Sequence, residues 1–193
     1  MIAQPAAQIS VSIRHRIYGT GYLAVGLATA RATAVPRGLA AWSWAVLLSG
    51  LSLLPDTDFL GFHFGIPYAG PFGHRGALDS LVFALAVGLA LWVWAAWVGL
   101  PGLRVGLASS RVLVSHGVLD SMTNGGMGVA LFWPFNLQRY FAPWRPIPVV
   151  PLGGRLFSVH GVSLMMHETL LFLPLFVVAV WPRKKGPPSE KSR

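Results

Sequence analysis

The chain has no cysteine and only six acidic residues among 193, and charged side chains make up just 11% of it. Without cysteine there is no disulfide framework and no thiolate metal site, so any metal ion must be held by His, Asp and Glu. So few charges, set against 54% hydrophobic residues and a mean hydropathy of +0.59, exclude an ordinary soluble domain and point to a membrane protein. The first 13 residues lack a basic start followed by an apolar run, so no cleavable signal peptide is expected. The scarcity of acids leaves a net charge of +9, but the 15 Lys and Arg are scattered through loops and a tail rather than massed on one amphipathic helix. Membrane topology signals produce that balance, and no nucleic-acid partner is expected.

What is present is a series of apolar segments. Residues 17–35 read as a small-residue helix and 38–54 as a better span ended by Pro55. The clearest span is 78–100, whose 23 residues would reach about 34 Å, enough for a bilayer core. Residues 105–122 are apolar but carry Arg111, His116 and Asp120, and Asn124-Gly125-Gly126 breaks them. A Trp- and Tyr-containing loop over 136–154 looks interfacial, and 156–181 is the last span. The predicted fold is therefore all-α, an integral membrane helical bundle with four or five membrane helices. Residues 1–182 would form a single domain and 183–193 a basic disordered tail. With five spans, nine Lys and Arg fall on the tail's side and six on the other, a thin bias toward a cytoplasmic tail. Whatever the sign, residues 14–16, the 55–77 loop and the 126–155 loop share one side of the membrane.

Residues 54–80, LPDTDFLGFHFGIPYAGPFGHRGALDS, hold three of the scarce acids, Asp56, Asp58 and Asp79, beside His63 and His74. Farther on, His116 and Asp120 lie i, i+4, so on a helix they share a face about 6 Å apart, close enough to ligate one ion or two neighbouring ions. Thr123 extends that face. Each element has a plainer use: a His bonded to its own Asp, a solvated turn or helix N-cap after Pro55, Asp79 or Ser80 as a cap, His74 and Arg75 as a loop pair. Together, carboxylates and imidazoles form a ligand set suited to a divalent metal ion, Zn²⁺ first and Mn²⁺, Fe²⁺ or Mg²⁺ as alternatives, and two such ions can activate a water and neutralise a leaving oxyanion. The fork of Arg75 suits an anionic substrate such as a phosphoester, and whichever of Asp56, Asp58 and Asp79 is not a ligand could be the general base. His15, flanked by two Arg, is a further candidate ligand or an interfacial residue. On the last span His160 and His167 share a face. Glu168, deep in an apolar run, is a ligand, the orienter of a ligating His, or a partner for Arg. Trp92, Trp94 and Trp97 read as lipid-facing or packing residues.

LLPDTD, GHRGALDS, and SHGVLDSMTNGG followed by LFWP, in this order and at these separations, resemble the YdjM-like family of inner-membrane metal-dependent hydrolases, some of them linked to the LexA damage response. The resemblance spans about residues 12–170. It implies a multi-pass helical protein of the inner (plasma) membrane that uses a divalent metal for hydrolysis, with the substrate unspecified. It also implies that His15 is the family's early His, Asp56 and Asp58 its PDxD pair, His74 and Arg75 its HRG, His116 and Asp120 its SHxxxD, and Glu168 its last-helix Glu. One departure stands out. Where the family reads HRGxTHS, this chain has Asp79 for the second His and Leu78 for the Thr. Asp can still ligate a divalent ion, so the departure implies either altered metal preference or lost activity. A looser likeness to zinc-dependent phospholipase C proteins favours a phosphoester.

The expected metal ligands are thus His15, Asp56, Asp58, His74, Asp79, His116, Asp120 and Glu168, with Asp58, Arg75 and Asp79 in catalysis. The expected function is metal-assisted hydrolysis of a phosphoester or lipid-linked substrate reached from the bilayer. The alternatives are a non-catalytic membrane protein with a structural metal site or buried polar network, and a transporter or proton relay. His116 and Asp120 should approach Asp56, Asp58 and His74.

Overall fold

The structure, a computed structural model, describes residues 19–149 and 157–182. His15, part of the interfacial loop and the basic tail lie outside the described residues. Within them the chain forms five α-helices and no strand: α1 (Thr20–Ala32), α2 (Ala41–Leu53), α3 (Leu81–Trp97), α4 (Gly102–Ser121) and α5 (Val159–Val180). Two 3-10 segments, Pro55–Phe64 and Ala77–Asp79, fall in the stretch expected to be a loop.

Small residues set the packing. α1 packs against α2 and α5, α2 also against α4, and α4 lies along α3. In the α3–α4 contact, a Cβ on Gly88 would come within 2.9 Å of the Gly106 carbonyl oxygen and closer still to Ser110. Only glycine lets these two backbones approach so closely, which is how membrane helices gain van der Waals contact. Trp44, Leu48, Val105 and Val112 fill the core between α2 and α4.

The helix expected over 78–100 is shorter. Ser80 caps α3, its Oγ accepting from the Phe83 N–H at 3.1 Å, so the residues before it turn as a 3-10 segment that carries Asp79. At the far end Gly99, at φ +77°, takes the chain out of the helix. The 17 residues that remain reach about 26 Å, short of a bilayer core of about 30 Å. Instead α5, with 22 residues, is the helix among the described residues that is long and apolar enough alone to cross a membrane. Its buried residues, Gly161, Glu168 and Phe172, form one stripe against α1, and the rest of its surface is largely exposed and apolar. α2 and the 3-10 segment after it, bent by 49°, pass the same test as a broken span. By length and apolarity, then, one clear span and one broken one stand among the described residues, where four or five were expected.

Helix order places the start of α1, the end of α2, the start of α3 and the end of α4 together at one end of the bundle, with the 55–80 stretch folded across it. The chain after α4 closes over this end through two isolated bridges, Thr123 with Ile147 and Val129 with Tyr140.

Candidate metal centre

α2 ends at Leu53 and Pro55 follows, so the last carbonyls of the helix lack helical donors. One of them, the Ser52 carbonyl, lies 2.7 Å from His116 Nδ1. A carbonyl can only accept, so Nδ1 carries a proton and Nε2 is the nitrogen turned toward the carboxylates. Nε2 lies 3.5 Å from Asp79 Oδ1 and 3.6 Å from Asp56 Oδ1. One turn beyond His116 on α4, Asp120 completes a group with His116 and Asp79. One ligand atom from each lies within 4.8 Å of the others, and all three residues are buried.

The donor set fits a divalent cation. Both Asp79 oxygens and His116 Nε2 are buried without a hydrogen-bond partner among the described residues. Burying such acceptors unpaired is costly, and a cation between them would satisfy all three atoms at once. A neutral imidazole oriented through its other nitrogen, beside carboxylates, is the usual construction of a Zn²⁺, Mn²⁺ or Fe²⁺ site. Burial pushes the Asp79 carboxyl well above the usual carboxylate range; neighbouring His116 pulls it back, and Asp120, Asp58 and Asp56 add to the rise. Gly117 sits under Asp79, where a Cβ would lie 2.4 Å from the Asp79 carbonyl oxygen.

Arg75 and Asp58 have other work. Arg75 is 1% exposed and lies at φ +63° in the left-handed region. Its Nε is 2.6 Å from Asp120 Oδ2, Nη2 donates to Asp120 Oδ1 at 3.1 Å, and Nη1 donates to the Gly125 carbonyl at 3.0 Å. Burial alone would lower the Arg75 pKa, but Asp120 and the Tyr22 and Tyr68 hydroxyls outweigh it and raise it. The guanidinium holds Asp120 through these contacts. Asp58 accepts from the Arg75 N–H at 2.9 Å through one oxygen and pairs with His74 Nδ1 at 2.6 Å through the other. Neither Asp58 nor His74 belongs to the three-residue group. Their pairing and the Asp58 bond to Arg75 hold the HRG turn under Asp120.

Glu168 lies on α5 outside that group: its Oε1 accepts from the Gly21 N–H at 3.1 Å and ties α5 to the first turn of α1. His63, His160 and His167 are exposed.

Three contributors carry no legible motif. Tyr22 stacks on the His116 ring with centroids 4.0 Å apart, and its hydroxyl donates to Asp120 Oδ1. The Ser52 carbonyl is a backbone group and leaves no trace in side-chain chemistry. Arg139 donates to the His74 and Tyr68 carbonyls at 2.9 and 3.1 Å and to Gly70 at 3.2 Å, clasping the 68–75 turn from the loop after α4.

An apolar helical bundle whose scarce acids converge on a buried imidazole at one end defines a membrane protein with a buried carboxylate–histidine centre. Residues 18–185 match the family model described as YdjM inner membrane protein, and the chain belongs to that family. Over 140 residues it is 39% identical to a protein of Escherichia coli (strain K12) named Inner membrane protein YbcI, covering 70% of this chain and 81% of that relative. No solved structure matches it.

Proposed function

We propose that this protein is a multi-pass, metal-dependent hydrolase of the inner membrane whose centre is Asp79, His116 and Asp120, acting on a phosphoester or lipid-linked substrate. The observation that carries the reading is the convergence of unpartnered, buried Asp79 oxygens and His116 Nε2 beside Asp120. A divalent ion held there would supply a Lewis acid and an acidified water, Zn²⁺ being the first candidate and Mn²⁺, Fe²⁺ or Mg²⁺ the others. With Asp58 occupied by His74 and Arg75, and Asp79 in the ligand group, Asp56 is the carboxylate left to take a proton from water at Oδ1. Its side chain keeps 14% exposure, the most open edge of the centre. Arg75 and Tyr22 orient Asp120, and the Ser52 carbonyl fixes the His116 tautomer. Exposed Phe135, Leu137 and Trp144 in the segment that covers this end suit the bilayer interface, from which a lipid-like substrate would enter. In this reading the broken α2 span, α3, α4 and α5 all cross the bilayer, with α1 packed among them.

A second reading, a non-catalytic buried polar network, is favoured by one feature: two nitrogens of Arg75 and the Tyr22 hydroxyl all converge on the Asp120 carboxylate. Metal analysis of the purified chain separates the two. Stoichiometric divalent metal lost in both His116→Ala and Asp79→Ala supports the centre, and absence of metal from the wild type sinks it. Hydrolysis of monoester, diester and phospholipid substrates by the loaded protein, lost in Asp56→Asn with metal retained, then supports the enzyme; no turnover on any class favours a structural ion.

A further inference from the structure

The bundle is polarised. Of the six acids, Asp56, Asp58, Asp79, Asp120 and Glu168 serve the end just described, and Glu190 lies outside the described residues. The opposite end carries Arg31, Arg37 and Arg104, and Arg111 lies at the middle of α4. Arg31 is engaged, donating to the Trp181 carbonyl at the end of α5 from Nε at 3.2 Å and Nη2 at 2.6 Å. Arg104 and Arg111 are exposed, and among the described residues no carboxylate pairs with either.

Both arginines line one groove of about 530 Å³, together with Thr33, Pro101, Leu103 and Leu107. Arg104, Leu107 and Arg111 are spaced i, i+3, i+7, so they share a face of α4. Arg111 sits nine residues past Gly102, about 14 Å along the helix, a depth at which a bare guanidinium facing lipid is expensive. Helical side chains lean toward the helix N-terminus, which carries the Arg111 head toward Arg104 and the membrane surface. Leu103 and Leu107, 57% and 48% exposed, provide apolar surface beside the two charges. A small anion would use the guanidinia and ignore the leucines; a phospholipid uses both.

We infer that the α4 groove between Thr33 and Arg111 binds an anionic phospholipid, its headgroup phosphate held by Arg104 and Arg111 and an acyl chain lying along Leu103 and Leu107. The site is distinct from the metal centre and stands whether or not that centre is catalytic, but it rests on the proposed crossing of the bilayer by α4.

The test is native mass spectrometry of the full chain in mild detergent with phosphatidylglycerol or phosphatidylcholine at equal concentration. Phosphatidylglycerol should be retained in preference, each arginine contributing about fivefold to the preference at roughly one unit of surface electrostatic attraction per charge. Arg104→Ala/Arg111→Ala should abolish that preference, and Arg145→Ala should leave it intact. Leu107→Trp, which keeps both charges and fills the groove, should also lower retention, so the test survives poor folding of the double variant. Equal binding of the two lipids by wild type, undiminished retention in Leu107→Trp, or displacement of the lipid by excess inorganic phosphate would each overturn the proposal.

Discussion

The Ser52 carbonyl accepts a 2.7 Å hydrogen bond from His116 Nδ1, and this contact between the end of α2 and the last turns of α4 determines which nitrogen of the imidazole faces the carboxylates. Everything at the centre follows from it. Nε2 meets Asp79 from the 3-10 turn and Asp56 from the segment after Pro55, so three separate chain segments depend on one ring orientation.

Asp79 occupies the position where the family resemblance expects histidine, and its side chain lies in the candidate ligand group rather than capping α3, a task that Ser80 performs. Asp79→His should therefore preserve bound metal, because an imidazole can replace the carboxylate as a donor. Its metal preference should move toward Zn²⁺ and away from Mg²⁺, whereas Asp79→Ala should lose at least tenfold in affinity. Competitive metal binding followed by elemental analysis checks this; a histidine variant as metal-free as the alanine variant would show that Asp79 is not a ligand.

The same carboxyl gives the pH dependence its sign. A metal binds the deprotonated group, and burial raises the Asp79 pKa well above the ordinary carboxylate value. Protons thus compete at a higher pH than they would at an exposed aspartate of pKa about 3.9. Metal affinity should be full at high pH and decline as pH falls through the raised Asp79 pKa. A binding isotherm series whose midpoint sits at or below the ordinary value contradicts the burial argument.

The membrane class, the helical content and the two polar clusters were legible in the sequence because apolar runs and scarce charges survive without tertiary information. The boundaries of α3 were not, since hydropathy continues through Leu78 and Val98 while the cap at Ser80 and the left-handed Gly99 depend on backbone geometry. The roles of Asp58, Arg75 and Glu168 were also hidden. Sequence spacing identifies side chains capable of ligation, but whether their valences are already used depends on partners such as the Gly21 N–H and the Gly125 carbonyl, which are backbone groups. Arg139 illustrates the same limit, for all of its bonds run to carbonyls.

Arg75 and Asp120 form a buried pair at 2.6 Å with a second bond at 3.1 Å, and such a pair tolerates removal of both partners better than removal of one. Arg75→Met should destabilise by about 3–5 kcal/mol, leaving Asp120 uncompensated. Arg75→Lys should restore little of this, because an ammonium cannot make the forked contact and the Gly125 bond together. Arg75→Met/Asp120→Leu should recover most of the stability while losing metal. Thermal unfolding in detergent reads the first three values; a lysine variant as stable as wild type would show that charge alone suffices.

Gly117 tests whether the approach of α4 to the Asp79 turn is built into the backbone. An added Cβ would stand 2.4 Å from the Asp79 carbonyl oxygen, an atom that cannot swing aside as a side chain would. Gly117→Ala must push the 3-10 turn away from α4, at a cost of about 1–3 kcal/mol as for other overpacked sites. Because His116 precedes it and Asp79 is the obstructing residue, metal affinity should fall with stability. Gly50→Ala supplies the contrast: it lies within α2 with nothing inside 4 Å of its added Cβ, so it should stabilise by about 0.5–1 kcal/mol and leave the metal untouched. If both alanines behave alike in unfolding and metal binding, the close contact at Gly117 does not shape the centre.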